Sequence, residues 1–309
     1  MIDSIVVWAE LPCVDRVLFT DARLDPGAKI VVSRSMTRGG GVGGNFAAAL
    51  RLFDMDTTAV GLASTDPLGQ SDYRDLRERG VHVLEVAPAS GSVDPIICTL
   101  IVPTDSDRTI LIEYPSVGPQ DYAALRDGFA DAITAAGRGR SIGVYLGVLR
   151  PHPALALAQL TQKPRFVACT LETSDWPTST TTASLDWVDV VFVADETFAA
   201  HRDEIARWQR NYSFDLIVTL GSQGARSELR DGTVESFEAA SPADKVVDTS
   251  GAGDCFAATY CAHAWTGTSH RGAMSSAAVA AADHITRAGA RTSRDRYEVW
   301  SESIKEVQI

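Results

Sequence analysis

The chain from residue 118 onward alternates between short apolar runs and longer amphipathic stretches. Runs of β-branched and other apolar residues predict buried strands, whereas apolar residues recurring with the helical period predict helices packed on a sheet. The predicted strands are Ser141–Leu146, Arg165–Thr170, Val188–Val193 and Leu216–Leu220. The predicted helices are Tyr122–Ala136, Pro153–Thr161, Glu196–Arg210, Gly253–Thr266 and Arg271–Thr286.

The earlier stretch of the chain shows the same alternation, interrupted by one segment of a different kind. The segment 95–112 carries two apolar runs separated by a turn at residues 103–107, which is typical of a β-hairpin. Around it the pattern predicts a strand at Ser4–Trp8, a helix at Phe46–Phe53, a strand at Thr57–Leu62 and a helix near Gly69–Arg79.

Strands that alternate with helices of this length predict an α/β fold with a doubly wound, mostly parallel sheet flanked by helices on both faces. The chain has 309 residues, of which 45% are apolar. That is enough to bury one large core, or a core with a small appended lid. We find no internal repeat and no linker long enough to separate a pair of full domains, so we expect a single unit over residues 1–309.

Charge excludes two classes of partner. The sequence carries 28 Lys and Arg against 40 Asp and Glu, a net charge of −12, and it has no basic run. A nucleic-acid partner would need a basic surface to neutralise phosphates, and an anionic membrane would need a similar cluster. We therefore expect no nucleic acid and no membrane, and a phosphorylated ligand would be held by backbone dipoles, a metal ion and a few placed cations.

The cysteines, the N-terminus and the hydropathy add three further expectations. Five cysteines are scattered along the chain, and no pair has metal-ligand spacing, so the sequence suggests neither a disulfide framework nor a zinc site. The first residues do not resemble a signal peptide, and no window approaches the ~20 apolar residues of a membrane span. We expect reduced thiols in a cytoplasmic protein.

The strongest chemical signal is the run Asp-Thr-Ser-Gly-Ala-Gly-Asp at Asp248–Asp254, which leads directly into an apolar helix. Small residues before a helix leave its first N–H groups unobstructed, and these donors with the helix dipole form an anion site. A carboxylate at the same place, Asp254, can take a proton from a hydroxyl beside the bound anion. Phosphoryl transfer needs both the anion site and the proton acceptor.

At this run the chain resembles the ribokinase-like, or PfkB, family of carbohydrate kinases, in its ketohexokinase- and ribokinase-like branch. The stretch Gly40–Asn45 is similar to the family's N-terminal glycine-rich signature, and Val218–Ala225 to its strand and turn at the nucleotide phosphates. Thr286–Ala290 resembles the late loop near the adenine and a monovalent-cation site. These motifs follow the family's order over nearly the whole length.

The resemblance implies an ATP- and Mg²⁺-dependent kinase that transfers the γ-phosphoryl group to a sugar hydroxyl. Asp254 would be the general base, with an anion hole formed by Gly251, Ala252 and Gly253. The implied acceptor-binding residues are Asp15, Gly40, Gly41, Gly43, Asn45 and Arg108. The implied ATP-binding residues are Asp195, Thr219, Gly221, Gly224 and Gly289. A monovalent cation such as K⁺ is assigned to Asp248, Ser250 and Ser293.

Several of the implied acceptor-binding residues also have interpretations that need no ligand. The glycines of the first motif could form an ordinary turn, Asp15 could be a solvated loop acid, and Asn45 could be a helix N-cap. Arg108 could be a surface arginine. The family further implies a small β lid built from about residues 16–38 and 95–112, which would close over the sugar and pair with a second copy in a homodimer.

Two departures from the family leave the acceptor and the metal open. Where the family often has Asn-x-x-Glu, this chain has Asp195 followed by Phe198, so the glutamate is lost. The segment 145–148 also lacks an acidic residue that some relatives present to the substrate. The alternatives are a nucleoside kinase and a catalytically idle sugar- or nucleotide-binding regulator. A dinucleotide oxidoreductase is disfavoured, because the glycine cluster does not follow the first strand as that fingerprint requires.

Overall fold

The computed structural model describes residues 2–21, 25–27, 29–103 and 108–291. A nine-stranded sheet forms the main layer, in the order β13-β12-β11-β10-β9-β8-β1-β4-β5. Its strands are β1 (Ser4–Glu10), β4 (Thr57–Leu62), β5 (His82–Val86), β8 (Ile142–Val148), β9 (Phe166–Leu171), β10 (Val190–Ala194), β11 (Asp215–Thr219), β12 (Ala225–Glu228) and β13 (Val234–Phe237). Among these strands β12 alone runs opposite to the others, because it pairs antiparallel with both β11 and β13 at one edge of the sheet.

Helices cover both faces of this sheet because the strands are apolar on both sides. In β1, Val6 and Trp8 belong to one core cluster, whereas Ile5 and Val7 belong to the other. This alternation follows from the two-residue period of a strand. The helices are α1 (Val42–Leu50), α2 (Pro67–Glu78), α3 (Pro119–Ala136), α4 (Pro151–Leu157), α5 (Ser179–Thr182), α6 (Asp195–Tyr212), α7 (Ala252–Trp265) and α8 (His270–His284).

A smaller, four-stranded sheet stands apart from the main layer, in the order β3-β2-β6-β7. Its strands are β2 (Cys13–Thr20), β3 (Val32–Gly39), β6 (Ile96–Pro103) and β7 (Thr109–Glu113). The central pair, β2 and β6, is parallel, and the outer strands β3 and β7 are antiparallel to it. The chain enters this sheet directly after β1 and leaves it directly before α1.

The predicted α/β class is confirmed, and each helix and strand predicted above is present with shifted ends. The hairpin at 95–112 is β6 and β7, while the turn residues 104–107 lie outside the described residues. The sequence pattern missed β5 and the β12–β13 hairpin. It also gave β2 and β3 only as components of a lid segment, because the exposed β3 has no regular apolar face.

No helix in the described ranges is long and apolar enough to cross a membrane.

Candidate active site

A cavity of about 240 Å³ lies between the smaller sheet and the carboxyl ends of the central parallel strands. Strands β1, β8 and β9 contribute Glu10, Gly147 and Glu172 at or just after their ends. The ends of neighbouring parallel strands are where α/β folds bind ligands, since the loops there converge. Residues from α1, the start of α7, β2, β6 and β7 close the remaining walls.

The turn before α7 has a backbone shape that only glycine accepts readily. Gly251 is the N-cap of α7 with φ 72°, and a Cβ there would lie 2.3 Å from the carbonyl oxygen of Ala290. The N–H groups of the first helical turn have no partner inside the helix. The N–H of Ala252 already donates a 3.3 Å hydrogen bond to Thr249 O. The N–H groups of Gly251 and Gly253 are therefore better placed to meet an anion.

The two glycines of this turn give a matched stability prediction. Gly251→Ala is expected to lower the free energy of unfolding by about 1–3 kcal/mol, the cost of forcing a side chain into the left-handed region, plus the clash with Ala290. Gly253→Ala is the control, because a Cβ there meets nothing within 4 Å. Urea unfolding should show a lower free energy of unfolding for Gly251→Ala and little change for Gly253→Ala. Equal stabilities of the two variants would contradict this account of the turn.

Asp254 stands in the first turn of α7 and faces the cavity. Burial is the main cause that raises the pKa of its carboxyl group, to about 7. The negative charges of Glu172 and Asp15 raise it further, and a 2.9 Å hydrogen bond from Asn45 Nδ2 to Asp254 Oδ2 opposes the rise. A carboxylate with a pKa near neutrality is suited to accept a proton and to release it.

Asn45 lies inside α1, four residues after the N-cap Gly41, so the N-cap interpretation of Asn45 is wrong. Its amide nitrogen holds Asp254, and its oxygen Oδ1 is buried without a hydrogen-bond partner among the described residues. A buried amide oxygen without a donor is costly, and a ligand hydroxyl in the cavity would satisfy it. Asn45 thus orients Asp254 and offers one acceptor to a ligand.

Asp15 lies on β2 with only 7% of its surface exposed, so the interpretation as a solvated loop acid is wrong. Burial raises the pKa of Asp15 to about 7, while the charges of Arg291 and Arg108 lower it. The carboxylate packs on Gly40, where a Cβ would come within 2.2 Å of Oδ1. Gly40 is therefore behind Asp15, while Gly41 and Gly43 reach the cavity wall.

The structure contains an ion pair in the cavity wall that the sequence did not predict. Arg150 Nη1 lies 2.5 Å from Glu10 Oε2, and Arg150 Nη2 donates to the hydroxyl of Tyr114 at 3.1 Å. Tyr122 donates to the other oxygen of Glu10 at 3.0 Å. Arg108, also predicted for this site, lies directly before β7 and lines the cavity. The sequence signal that could have found this site is a charged residue at or directly after the end of a buried strand, as at Glu10 and Glu172.

A buried arginine braces the glycine-rich segment from behind. Arg291 Nη2 donates to Asp72 Oδ1 at 2.6 Å and to Gly40 O at 2.8 Å, and Nη1 meets Asp75 Oδ2 at 2.7 Å. A Cβ on Gly44 would lie 2.5 Å from Arg291 Nη2. Some of the glycine cluster is thus explained by the guanidinium that packs on it and not by a ligand.

The predicted nucleotide residues follow the next strands along the same edge. Asp195 comes directly after β10, Thr219 ends β11, and Gly221 and Gly224 shape the turn that follows. These residues do not line the cavity described above. Because β9, β10 and β11 are neighbours, a ligand bound there would lie beside the start of α7.

Asp248 and Gly289 form a brace between two loops. Asp248 Oδ1 accepts from Ser250 N at 2.9 Å, and Oδ2 accepts from Gly289 N at 2.8 Å. His284 Nε2 lies 2.6 Å from Ser250 O, while the hydroxyl of Ser250 is buried without a partner in the described ranges. Ser293, the third residue predicted to hold a monovalent cation, lies outside the described residues.

Comparison with known proteins places this site in a family. Residues 3–296 match the pfkB family of carbohydrate kinases. An ATP-dependent ribose-1-phosphate kinase of Halopiger xanaduensis is 28% identical over 237 residues, 72% of this chain and 72% of that protein. The solved ribokinase of Giardia lamblia superposes with a TM-score of 0.80 at 18% identity, covering 99% of this chain and 100% of the other.

A nucleoside kinase of Methanocaldococcus jannaschii has the same fold, with a TM-score of 0.75 at 15% identity over 98% of this chain and 99% of that one. At such identities the structural likeness speaks for the fold, while the match over residues 3–296 speaks for the family. The chain therefore belongs to the pfkB family of carbohydrate kinases, which are ATP-dependent phosphotransferases.

Proposed function

We propose that this protein transfers the γ-phosphoryl group of ATP to a hydroxyl of a carbohydrate, with Asp254 as the general base. One observation carries the proposal. Asp254 faces the cavity at the N-terminus of α7, within hydrogen-bonding distance of Asn45 and beside the N–H groups of Gly251 and Gly253. A base for the nucleophile and donors for the moving phosphoryl group are thereby next to each other.

The roles of the other residues follow from where they lie. Asp15 and Asn45 Oδ1 would accept hydrogen bonds from sugar hydroxyls and turn one hydroxyl toward Asp254. The nucleotide would lie across Thr219–Gly224, with Gly289 in the late loop nearby. The smaller sheet would act as a lid, since Ile110 and Ile112 of β7 line the cavity roof and exclude water from the reacting groups.

A magnesium ion fits the carboxylates at this edge of the sheet. Glu172 and Asp195 directly follow the neighbouring strands β9 and β10, and Mg²⁺ prefers carboxylate and water oxygens. When bound, Mg²⁺ would neutralise charge on the ATP phosphates. Glu172 would thus replace the missing glutamate of Asn-x-x-Glu. For K⁺, the buried hydroxyl of Ser250 and the carboxylate of Asp248 are suitable oxygen donors.

Two arginines favour a second candidate acceptor, a sugar that already carries a phosphate. Arg108 and Arg150 both line the cavity, the first from beside β7 and the second from just after β8. Arginine is well suited to bind phosphate through its forked donors. The relative from Halopiger xanaduensis is a ribose-1-phosphate kinase, which agrees with this candidate. A nucleoside acceptor and an idle regulator stay as the remaining alternatives.

A panel of acceptors tests the proposal directly. Purified protein with ATP and MgCl₂ is assayed by coupled ADP release against pentoses, ketohexoses, sugar acids, nucleosides and ribose 1-phosphate. Turnover of one class above the rate without acceptor supports the kinase and names its substrate. ATP binding without turnover on any acceptor would favour the regulator, and turnover of nucleosides alone would favour the nucleoside kinase.

The acid side of the pH profile is expected to report Asp254. Its raised pKa of about 7 means that the carboxyl group is protonated, and unable to accept a proton, below that pH. The value of kcat/KM should therefore fall at least about tenfold per pH unit below pH 7 and level off above it, because the pKa of the acceptor-binding Asp15 is raised to about 7 as well. A profile flat from pH 5 to 8, measured by direct product detection, would contradict this role.

Exposed apolar side chains on the smaller sheet favour pairing of two copies of the chain through that sheet. On that sheet Leu111 and Val32 are 52% and 42% exposed, an unusual exposure for large apolar side chains. We therefore propose a homodimer with paired lids. Light scattering should give twice the monomer mass, and Leu111→Glu should shift the protein toward the monomer. A monomer at all concentrations would contradict the pairing.

A further inference from the structure

Two thiols and a carboxylate meet in the cavity wall, although they are far apart in the sequence. Cys13 and Asp15 lie on β2 and Cys98 on β6, and the three side chains offer donor atoms that all lie within 4.8 Å of one another. Cys13 and Asp15 are buried, with 5% and 7% of their surfaces exposed, and all three residues line the cavity. The spacing of cysteines along the chain had suggested no metal site; the β2–β6 pairing creates this cluster.

The separation of the two sulfur atoms matches a tetrahedral ion. Cys13 Sγ and Cys98 Sγ are 3.8 Å apart. A Zn²⁺ ion with Zn–S bonds of about 2.3 Å and tetrahedral angles holds its two sulfur ligands about 3.8 Å apart. The thiols thus already have the spacing that such an ion requires, without a shift of either strand.

The same pair is poorly arranged for a disulfide. Asp15 is the neighbour of Cys98 across the strands and Ile96 the neighbour of Cys13, so the two cysteines are offset by two residues. With ordinary strand spacing and rise, that offset puts their Cα atoms about 8 Å apart. A disulfide needs a Cα separation of at most about 6.8 Å. Oxidation to a disulfide would require backbone movement, whereas metal binding would not.

We propose that Cys13, Cys98 and Asp15 form a binding site for a thiophilic divalent cation of the Zn²⁺ class, with its fourth position open to the cavity. On binding, each thiol releases one proton to solvent and each sulfur donates an electron pair to the ion. Two thiolates and a carboxylate leave one net negative charge around a divalent ion. Arg291 and Arg108 favour the charged form of Asp15, whereas Asp72 and Asp248 oppose it, so the two arginines offset part of the cost of that charge.

The functional consequence rests on the kinase function proposed above. Asp15 cannot hold sugar hydroxyls and the ion at once, so the cation and the acceptor compete for one place. Zn²⁺ is expected to inhibit phosphorylation competitively with the acceptor and not with ATP. A chelator should restore the activity, because no covalent bond within the protein has formed.

Binding is tested first without any turnover. The reduced protein, free of nucleotide, is titrated with Cd²⁺ and with Co²⁺ while the thiolate-to-metal charge-transfer absorption is recorded. We expect one equivalent to bind, and Cys13→Ala and Cys98→Ala to weaken binding at least about tenfold, since even loss of a supporting residue around a metal has that effect. Cys261→Ala, buried in another core cluster, is the control and should bind as wild type does. Absence of the band in wild type, or equal affinity in all variants, would overturn the site.

Competition is tested second, with both outcomes informative. Adding the acceptor should weaken Cd²⁺ binding in the absorption titration, and Zn²⁺ should raise the KM for the acceptor at a fixed excess of MgATP. If the metal band forms but the acceptor does not displace it, the site stands and its regulatory role is wrong. If no acceptor is ever phosphorylated, the proposed kinase function fails while the titration still decides the metal site.

Discussion

Asp254→Asn is expected to lower kcat by about 10²–10⁴-fold, the usual contribution of a general base, while leaving ATP affinity nearly unchanged. The amide has a similar shape but cannot accept the proton of the acceptor hydroxyl. Its oxygen can still receive the hydrogen bond from Asn45 Nδ2, so the local geometry should persist. Rates are measured at saturating acceptor, and ATP affinity by isothermal titration; near-normal turnover would disprove the assignment.

Stability supplies the control for this variant. The pKa of Asp254 is raised from 3.8 to about 7 in the folded protein, so the folded state binds the proton more tightly than the unfolded chain. Above pH 7 the folded protein must carry the unfavourable buried charge, and the stability that protonation gives is lost as the pH rises from about 4 to 7. Asp254→Asn should therefore unfold at the same or a higher temperature than wild type at pH 8. A lower temperature would mean that lost activity reflects lost structure.

Arg291→Met is expected to cost about 3–5 kcal/mol of unfolding free energy, the penalty for leaving a buried charge without its partner. The side chains of Arg291 and Asp72 are only 2% and 3% exposed. Methionine fills similar space but leaves Asp72 without its cation and Gly40 O without its donor. Urea unfolding measures the loss, provided that the slope with denaturant is unchanged.

Two further variants test whether the loss of stability comes from the buried ion pair of Arg291 and Asp72 and not from the removal of any arginine. Arg77 and Glu85 form an exposed ion pair that also involves α2, with side chains 43% and 24% exposed. Arg77→Met should cost under about 1 kcal/mol, as exposed pairs do. The double variant Arg291→Met with Asp72→Asn should lose less unfolding free energy than Arg291→Met alone. The unpaired negative charge of Asp72 is then absent, and the asparagine oxygen can still accept the hydrogen bond from Cys13 N. Strict additivity of the two changes would argue against the pair.

The α/β class and the motif at the start of α7 could be predicted because both depend on local patterns. Apolar periodicity identified six of the nine strands of the main sheet, and small residues before an apolar helix identified the turn with Gly251 and Asp254. The β12–β13 hairpin was missed because a four-residue edge strand with two adjacent polar residues, such as Val234–Phe237, has little pattern of its own.

The residues whose roles the sequence did not reveal act through contacts between segments that are distant in the chain. Arg291 meets Asp72 across 219 residues, and Cys13 meets Cys98 across 85. Neither pair has a local signature, because each cysteine, arginine or aspartate alone is an ordinary residue. The glycine cluster was interpreted as a ligand contact or an ordinary turn, and its packing role was missed for the same reason: the side chain that fills the space beside Gly44 comes from elsewhere in the chain.

The long separation between Asp72 and Arg291 has a consequence for synthesis on the ribosome. Asp72 emerges 219 residues before the guanidinium that neutralises it. At ordinary translation speeds that interval is roughly 10 to 45 s. During it the glycine-rich segment lacks its brace, and β1, α1 and α2 cannot reach their final packing. The nascent chain must wait in a partly folded state, which makes the first half of this protein a candidate client for chaperones that act during translation.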